Sequence, residues 1–163
     1  MSIVVRQATA ADDLAAAGRI VQRAYFVLPG YPREDEYDAL LGDVGGRVGD
    51  TTVVIALDDD RVVGCLTLLL DPTSPHAEHG DDLAASFRYF GVDPSVQGKG
   101  VGESMVQWCI DAARNAGLHR IRIHTLEMMP GAQRLYLRMG FEREPGHDED
   151  WDGIIGLAFV RHL

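Results

Sequence analysis

Asp93-Pro94-Ser95-Val96-Gln97-Gly98-Lys99-Gly100-Val101-Gly102 lies between an apolar run and an amphipathic one, and it reads as a strand-to-helix turn suited to an anion. After it, Val101, Met105, Trp108, Cys109, Ala112 and Ala116 recur at helical spacing, with Glu103, Gln107, Asp111 and Arg114 on the other face. This pattern predicts a helix from about Gly98 to Ala116. Glycine has no Cβ to hold a ligand away from the main chain. The first amides of a helix have no acceptor within it and stand at the positive end of its dipole, so they can hold a pyrophosphate. The spacing is not G-x-x-x-x-G-K-[ST], since no Ser or Thr follows Lys99 at the metal-binding place, nor is it G-x-G-x-x-G. Gln97, Gly98, Lys99, Gly100, Val101 and Gly102 are therefore expected to bind a phosphate-bearing cofactor. The plainer alternative is a glycine-rich helix entry without a ligand.

Downstream stands Ala132-Gln133-Arg134-Leu135-Tyr136-Leu137-Arg138-Met139-Gly140-Phe141. Ala132, Leu135, Tyr136 and Met139 recur at three- and four-residue steps, and Gly140 suits a left-handed C-terminal cap, so the segment predicts one short helix. Tyr136 then shares a face with core residues. Its ring could simply pack there, with the hydroxyl taking any acceptor.

Together, Q-x-x-G-x-G at Gln97 to Gly102 and A-x-x-L-Y-x-x-x-G-F at Ala132 to Phe141 resemble the Gcn5-related N-acetyltransferase (GNAT) family. The resemblance implies an α/β fold with a mixed, mostly antiparallel central sheet flanked by helices, in the order β-α-α-β-β-β-α-β-α-β-β, and one N-acetyltransferase domain over residues 1–163. It implies acetyl-CoA as co-substrate, with the glycine turn on its pyrophosphate and the strand end Phe90-Gly91-Val92 pairing with the thioester arm, a backbone amide near Val92 meeting the oxyanion. It also implies Tyr136 as the proton donor to the departing thiolate, or as a group that positions the thioester. The family often places a base, commonly a Glu, on the strand that here reads Ser86-Phe87-Arg88-Tyr89-Phe90-Gly91 and carries no carboxylate. His124 on the following strand is the candidate base, since an imidazole titrates near neutral pH; an ordinary strand histidine at the sheet's edge is the alternative. Met129 stands where many members carry an Asn that touches the pantetheine arm.

The acceptor implied is a primary amine of a small molecule or peptide. Two acidic segments, Glu34-Asp35-Glu36 with Asp38 and Asp148-Glu149-Asp150 with Asp152, would border the acceptor cleft by resemblance and attract a cationic acceptor; equally, they could be solvated faces. Two other functions fit the same motifs: a non-catalytic acyl-CoA-binding module, and an enzyme of this fold using a longer acyl-CoA.

Composition bounds these readings. The chain has 163 residues, 46% hydrophobic and 25% charged, which suits one soluble domain with a real core. A net charge of −10 argues against nucleic acid as a partner. The run Val62 to Leu70 is too short to cross a bilayer, and the N-terminus lacks a signal-peptide pattern, so a cytoplasmic protein with no membrane partner is expected. Cys65 and Cys109 are expected to be small buried hydrophobes, and six scattered histidines form no zinc pattern, so no metal is expected. His76 and His79 read as solvated loop residues. A homodimer is compatible with this reading.

The remaining elements follow from local patterns. A strand is expected at Ile3 to Ala8, then a helix opened by the capping-box-like Thr9-Ala10-Ala11-Asp12 and ended by Pro29-Gly30. A second helix is expected from Arg33 to about Leu41, then loop from Gly42 to Gly49. Thr51 to Leu57 and Val62 to Leu70 read as a hairpin about Asp58-Asp59-Asp60-Arg61, and Asp71 to Asp82 as a loop. Further strands are expected at Ser86 to Val92 and Ile121 to Thr125, joined by a right-handed crossover, then a short one from Phe141, an acidic loop, and a last strand at Ile154 to Val160.

Overall fold

The computed structural model describes residues 2–163. Its elements are β1 (Ile3–Gln7), α1 (Leu14–Phe26), α2 (Asp35–Gly42), β2 (Thr52–Asp58), β3 (Arg61–Leu69), β4 (Ala84–Val92), α3 (Val101–Asn115), β5 (Arg120–Leu126), α4 (Pro130–Arg138), β6 (Glu142–Arg143), β7 (Glu149–Trp151) and β8 (Ile154–His162). Short 3-10 turns occupy Pro94–Val96 and Pro145–His147. The strands form an open, mostly antiparallel sheet in the order β1-β2-β3-β4-β5-β8-β6, with β7 paired to β8. β4 and β5 are the parallel pair, registered at Ala84 with Arg120 and Ala85 with Ile121. This is the expected α/β class, with one strand more than the sequence suggested. Contacts divide the chain into two compact units: one runs up to Leu68 and includes Tyr89–Cys109, the other takes Leu69–Arg88 and Ile110–Leu163.

In the first unit, β1, β2 and β3 form an antiparallel meander whose β2–β3 turn places Asp59 at φ 51. Val53 to Ala56 and Val62 to Leu68 are buried at consecutive positions, so both faces of these strands are covered. Here α1 opens later than the capping-box reading implied. The Thr9 amide does donate to Asp12 Oδ2 at 2.8 Å, but that carboxylate is also held by the Arg6 guanidinium at 2.6 and 2.9 Å. The pair closes a turn, and Asp13 caps the helix by accepting the Ala16 amide at 3.0 Å.

Arg47 is the largest fully buried side chain of this unit. Its donors reach the Leu40, Leu41 and Asp43 carbonyls at the end of α2 and the Thr67 hydroxyl, and its guanidinium lies 4.5 Å from the Tyr89 ring centroid. A cation on a helix's final carbonyls satisfies acceptors that the helix cannot. Removing it would orphan them at about 1–3 kcal/mol each. Cys65 and Cys109 are free and buried in the same unit.

The second unit centres on β5 and β8, paired antiparallel from Arg120 opposite His162 to Leu126 opposite Gly156. The expected acidic loop is partly a strand: Trp151 pairs with Ile154 across Asp152 at φ 55 and Gly153 at φ 89. Two positive φ values in a two-residue loop are what a type I′ hairpin requires, and Asp-Gly supplies them. Asp150 Oδ1 accepts the Gly153 amide at 2.6 Å and fastens the turn.

Candidate active site

The glycine turn belongs wholly to the first unit. β4 ends at Val92, whose carbonyl accepts Gln97 Nε2 at 3.3 Å, and Asp93 caps the 3-10 turn through the Ser95 amide at 2.8 Å. Gly98 and Gly100 follow at φ 78 and 81, and a Cβ at either would meet nothing within 4 Å. They are glycine because of the backbone conformation, and the space before them is open. The first bonds of α3 run from the Ser104 amide and hydroxyl to the Gly100 carbonyl, so the Val101 and Gly102 amides precede the helical ladder. Lys99 is exposed beside them. Open space, forward amides and one cation suit a pyrophosphate, the group that acetyl-CoA would bring.

Two residues upstream have structural reasons that the sequence did not disclose. Tyr89 is buried within β4 at φ 54, in the left-handed region that a side-chain-bearing residue rarely adopts. Its ring lies under Arg47. Gly91 leaves room for α1: a Cβ there would come within 2.7 Å of the Ile20 carbonyl oxygen. Phe90 and Val92 are half-buried on either side of it.

Tyr136 lies in the second unit on α4, 4% exposed, with its ring 5.8 Å from that of Phe87, 5.6 Å from Phe141 and 5.9 Å from Phe159. The helix ends as a Schellman cap: the Phe141 amide returns to the Tyr136 carbonyl at 3.0 Å, and that of Gly140, at φ 85, to Leu137. The ring pair Tyr136–Phe141 is the apolar contact that accompanies such a cap.

His124 lines a cleft of about 810 Å³ in the same unit, with Glu78, His79, Asp81, Arg122, His147 and Glu149 among its walls. Tyr136 is not among its lining residues. Alternation along β5 buries Ile121 and Ile123 and turns Arg122 and His124 to the cleft. Nε2 of His124 lies 2.9 Å from the His147 carbonyl and Nδ1 lies 3.6 Å from Glu78 Oε2, while Trp151 packs edge-on at 5.6 Å. Asp81 is gripped by Arg120 and by Arg122 Nε at 2.7 Å, and Arg122 also pairs with Glu144. The Arg120 hydrogen bond, opposed by burial and joined by Arg122, holds the Asp81 carboxyl far below its usual range.

His79 is not the solvated residue expected. It is half-buried, its Nδ1 accepts the Asp81 amide at 3.2 Å, and burial lowers its pKa. His76 is half-buried as well, its carbonyl accepting Arg88 Nη1 at 2.9 Å. Two of the acidic residues considered for the acceptor are spent on structure. Asp38 is buried and takes the Tyr31 hydroxyl, Arg33 Nε and the Glu34 amide. Asp148 takes Arg143 through both oxygens and the Ala158 amide, and the Arg143 contact brings its pKa down to about 2. Among the described residues no group of three His, Cys, Asp or Glu side chains is arranged to hold a metal, and no helix is long and apolar enough to cross a membrane.

The sequence profile of the Acetyltransferase (GNAT) family matches residues 15–141, most of the chain. The chain belongs to the GNAT acetyltransferase family. Among solved GNAT-like structures, a GCN5-related N-acetyltransferase from Kribbella flavida superposes with a TM-score of 0.72 at 22% identity, covering 99% of this chain and 98% of that one. The Salmonella typhimurium protein yncA, solved with its cofactor acetyl-CoA, gives 0.71 at 19% identity over 100% of this chain and 95% of its own. These likenesses concern the GNAT fold. The mycothiol acetyltransferase of Geodermatophilus obscurus is 28% identical over 89 residues, which is 55% of this chain; the match spans about a quarter (28%) of that relative's length.

Proposed function

We propose that this chain transfers the acetyl group of acetyl-CoA directly to a primary amine of a small molecule or peptide in a ternary complex. The observation that carries the reading is the turn at Gly98 and Gly100, whose positive φ values open a space in front of the unladdered amides of α3. Acetyl-CoA supplies the activated acyl group. Gln97 to Gly102 hold its pyrophosphate, and Phe90, Gly91 and Val92 offer backbone to its extended arm, with an amide near Val92 meeting the charge that develops on the thioester oxygen. Tyr136 returns a proton to the leaving sulfur, and His124 takes one from the attacking amine.

The acceptor carries positive charge beyond its reacting nitrogen, because Glu149 stands on the cleft that His124 lines. The protein is read as cytoplasmic, working without nucleic acid, membrane or metal, with a homodimer as its possible assembly. An amine panel with detection of free CoA thiol and a no-acceptor control tests this. Acceptor-dependent release of thiol is the expected result. Tight binding of acetyl-CoA without turnover of any amine would favour a binding module, and turnover only with a longer acyl-CoA would change the donor.

A further inference from the structure

β4 carries no carboxylate between Ser86 and Gly91, yet one reaches the candidate base by another route. Arg88, on that strand, places its Nε 3.1 Å from Glu78 Oε1 and is itself held by the His76 carbonyl through Nη1 at 2.9 Å. The other oxygen, Oε2, lies 3.6 Å from Nδ1 of His124. On the far side of the ring the His147 carbonyl can only accept, so Nε2 carries a proton and Nδ1 is the nitrogen left to gain one. Trp151 packs edge-on against the ring, and the His124 and Glu78 side chains are 9% and 19% exposed.

We propose that Glu78 is the carboxylate partner of His124, a positioning residue that steadies the imidazolium formed when His124 accepts a proton from the acceptor amine. This rests on the reading of His124 as the base. The step moves one proton: an N–H bond of the acceptor's ammonium group breaks, an Nδ1–H bond forms on His124, and Glu78 stays ionised beside the resulting imidazolium. An opposite charge at this range favours the protonated ring. Other charged and titratable groups near the ring are His79 and Asp81 from the same loop, Arg88 on β4, Arg120 and Arg122 on β5, Glu144 after β6, His147 and Asp148 before β7, and Glu149 on β7. Arg122 is matched by Asp81 and Glu144, and Asp148 by Arg143; Glu78 is the carboxylate that lies 3.6 Å from Nδ1.

The test compares the full chain with Glu78→Gln, His124→Gln, both together, and Glu78→Asp, using acetyl-CoA and the best amine of the panel. His124→Gln should lower kcat about a hundredfold. Glu78→Gln should lower kcat about tenfold and move the rising limb of its pH profile toward lower pH, with the KM for acetyl-CoA unchanged. The double variant should be no slower than His124→Gln, and Glu78→Asp should bring the limb back toward wild type. A wild-type kcat and limb in Glu78→Gln, alongside an impaired His124→Gln, overturns the pairing and leaves the base in place. Normal turnover by His124→Gln overturns both. Should Glu78→Gln fail to fold, nitrogen NMR of the wild-type ring decides: Nε2 should stay protonated while Nδ1 titrates, and a neutral ring protonated at Nδ1 overturns the proposal.

Discussion

Tyr136 has a ring fixed by Phe87, Phe141 and Phe159, so replacing it with Phe keeps the packing and removes only the hydroxyl. Tyr136→Phe should lower kcat by about ten- to a thousandfold while calorimetry finds acetyl-CoA affinity near wild type. Normal turnover would make the residue structural, and a loss confined to affinity would make it a positioning group. The burial of Tyr136 could be read from spacing, because Ala132, Leu135, Tyr136 and Met139 share one stripe of a helix. The neighbours of His124 could not. Glu78, His147 and Trp151 come from three other segments, and no local pattern announces that they converge. Arg47 was hidden in the same way, since an arginine between glycines in a loop reads as solvated until its carbonyl partners are known.

At the scale of elements, the turn into α3 separates two kinds of glycine. Gly100 is held at φ 81, where a side chain costs roughly 1–2 kcal/mol, whereas Gly102 lies inside the helix, where Val is tolerated no worse than Gly. Gly102→Val should therefore keep the melting temperature and lose acetyl-CoA affinity, while Gly100→Val should lose both; thermal melts with calorimetry check the pair. Unchanged affinity in a folded Gly102→Val would mean that the pyrophosphate lies elsewhere. The turn, the helix behind it and the β2–β3 hairpin were legible because each is encoded in contiguous residues. The β7–β8 hairpin was also encoded, as Trp151-Asp152-Gly153-Ile154, but the surrounding acidic residues read as solvated loop. The left-handed backbone at Tyr89 left no local mark, because the burial under Arg47 that accompanies it is tertiary.

Among the described residues, six aspartates are held below their ordinary range, and three of them furthest: Asp12 to about 2 by its Arg6 hydrogen bond, Asp148 to about 2 by Arg143, and Asp81 further by Arg120, with Asp38, Asp71 and Asp93 lowered less. Free aspartates titrate near ~3.9, so on acidification the unfolded chain takes up these protons first. The stability they contribute should be complete above about pH 5 and drain away as the pH falls toward about 2. A melting temperature that stays flat to pH 2, or the same acid slope in Asp148→Asn, would contradict this. The net charge of −10 adds a second expectation: kcat/KM for a diamine should fall with ionic strength more steeply than for a monoamine.

The two cysteines have a kinetic consequence. Cys65 and Cys109 are the only thiols of the chain, both fully enclosed in the unit that also holds the glycine turn, and burial pushes the Cys65 thiol up to about 12 and that of Cys109 higher still. An alkylating reagent can reach them only when that unit opens, so the labelling rate counts opening events. A ligand seated on the closed form lowers the open population by one plus its concentration over Kd, so acetyl-CoA at a hundred times its Kd should slow labelling about a hundredfold. The native thiols thus time the occupancy of the turn without any added probe, and a rate indifferent to acetyl-CoA would mean that the cofactor binds outside the unit they report on.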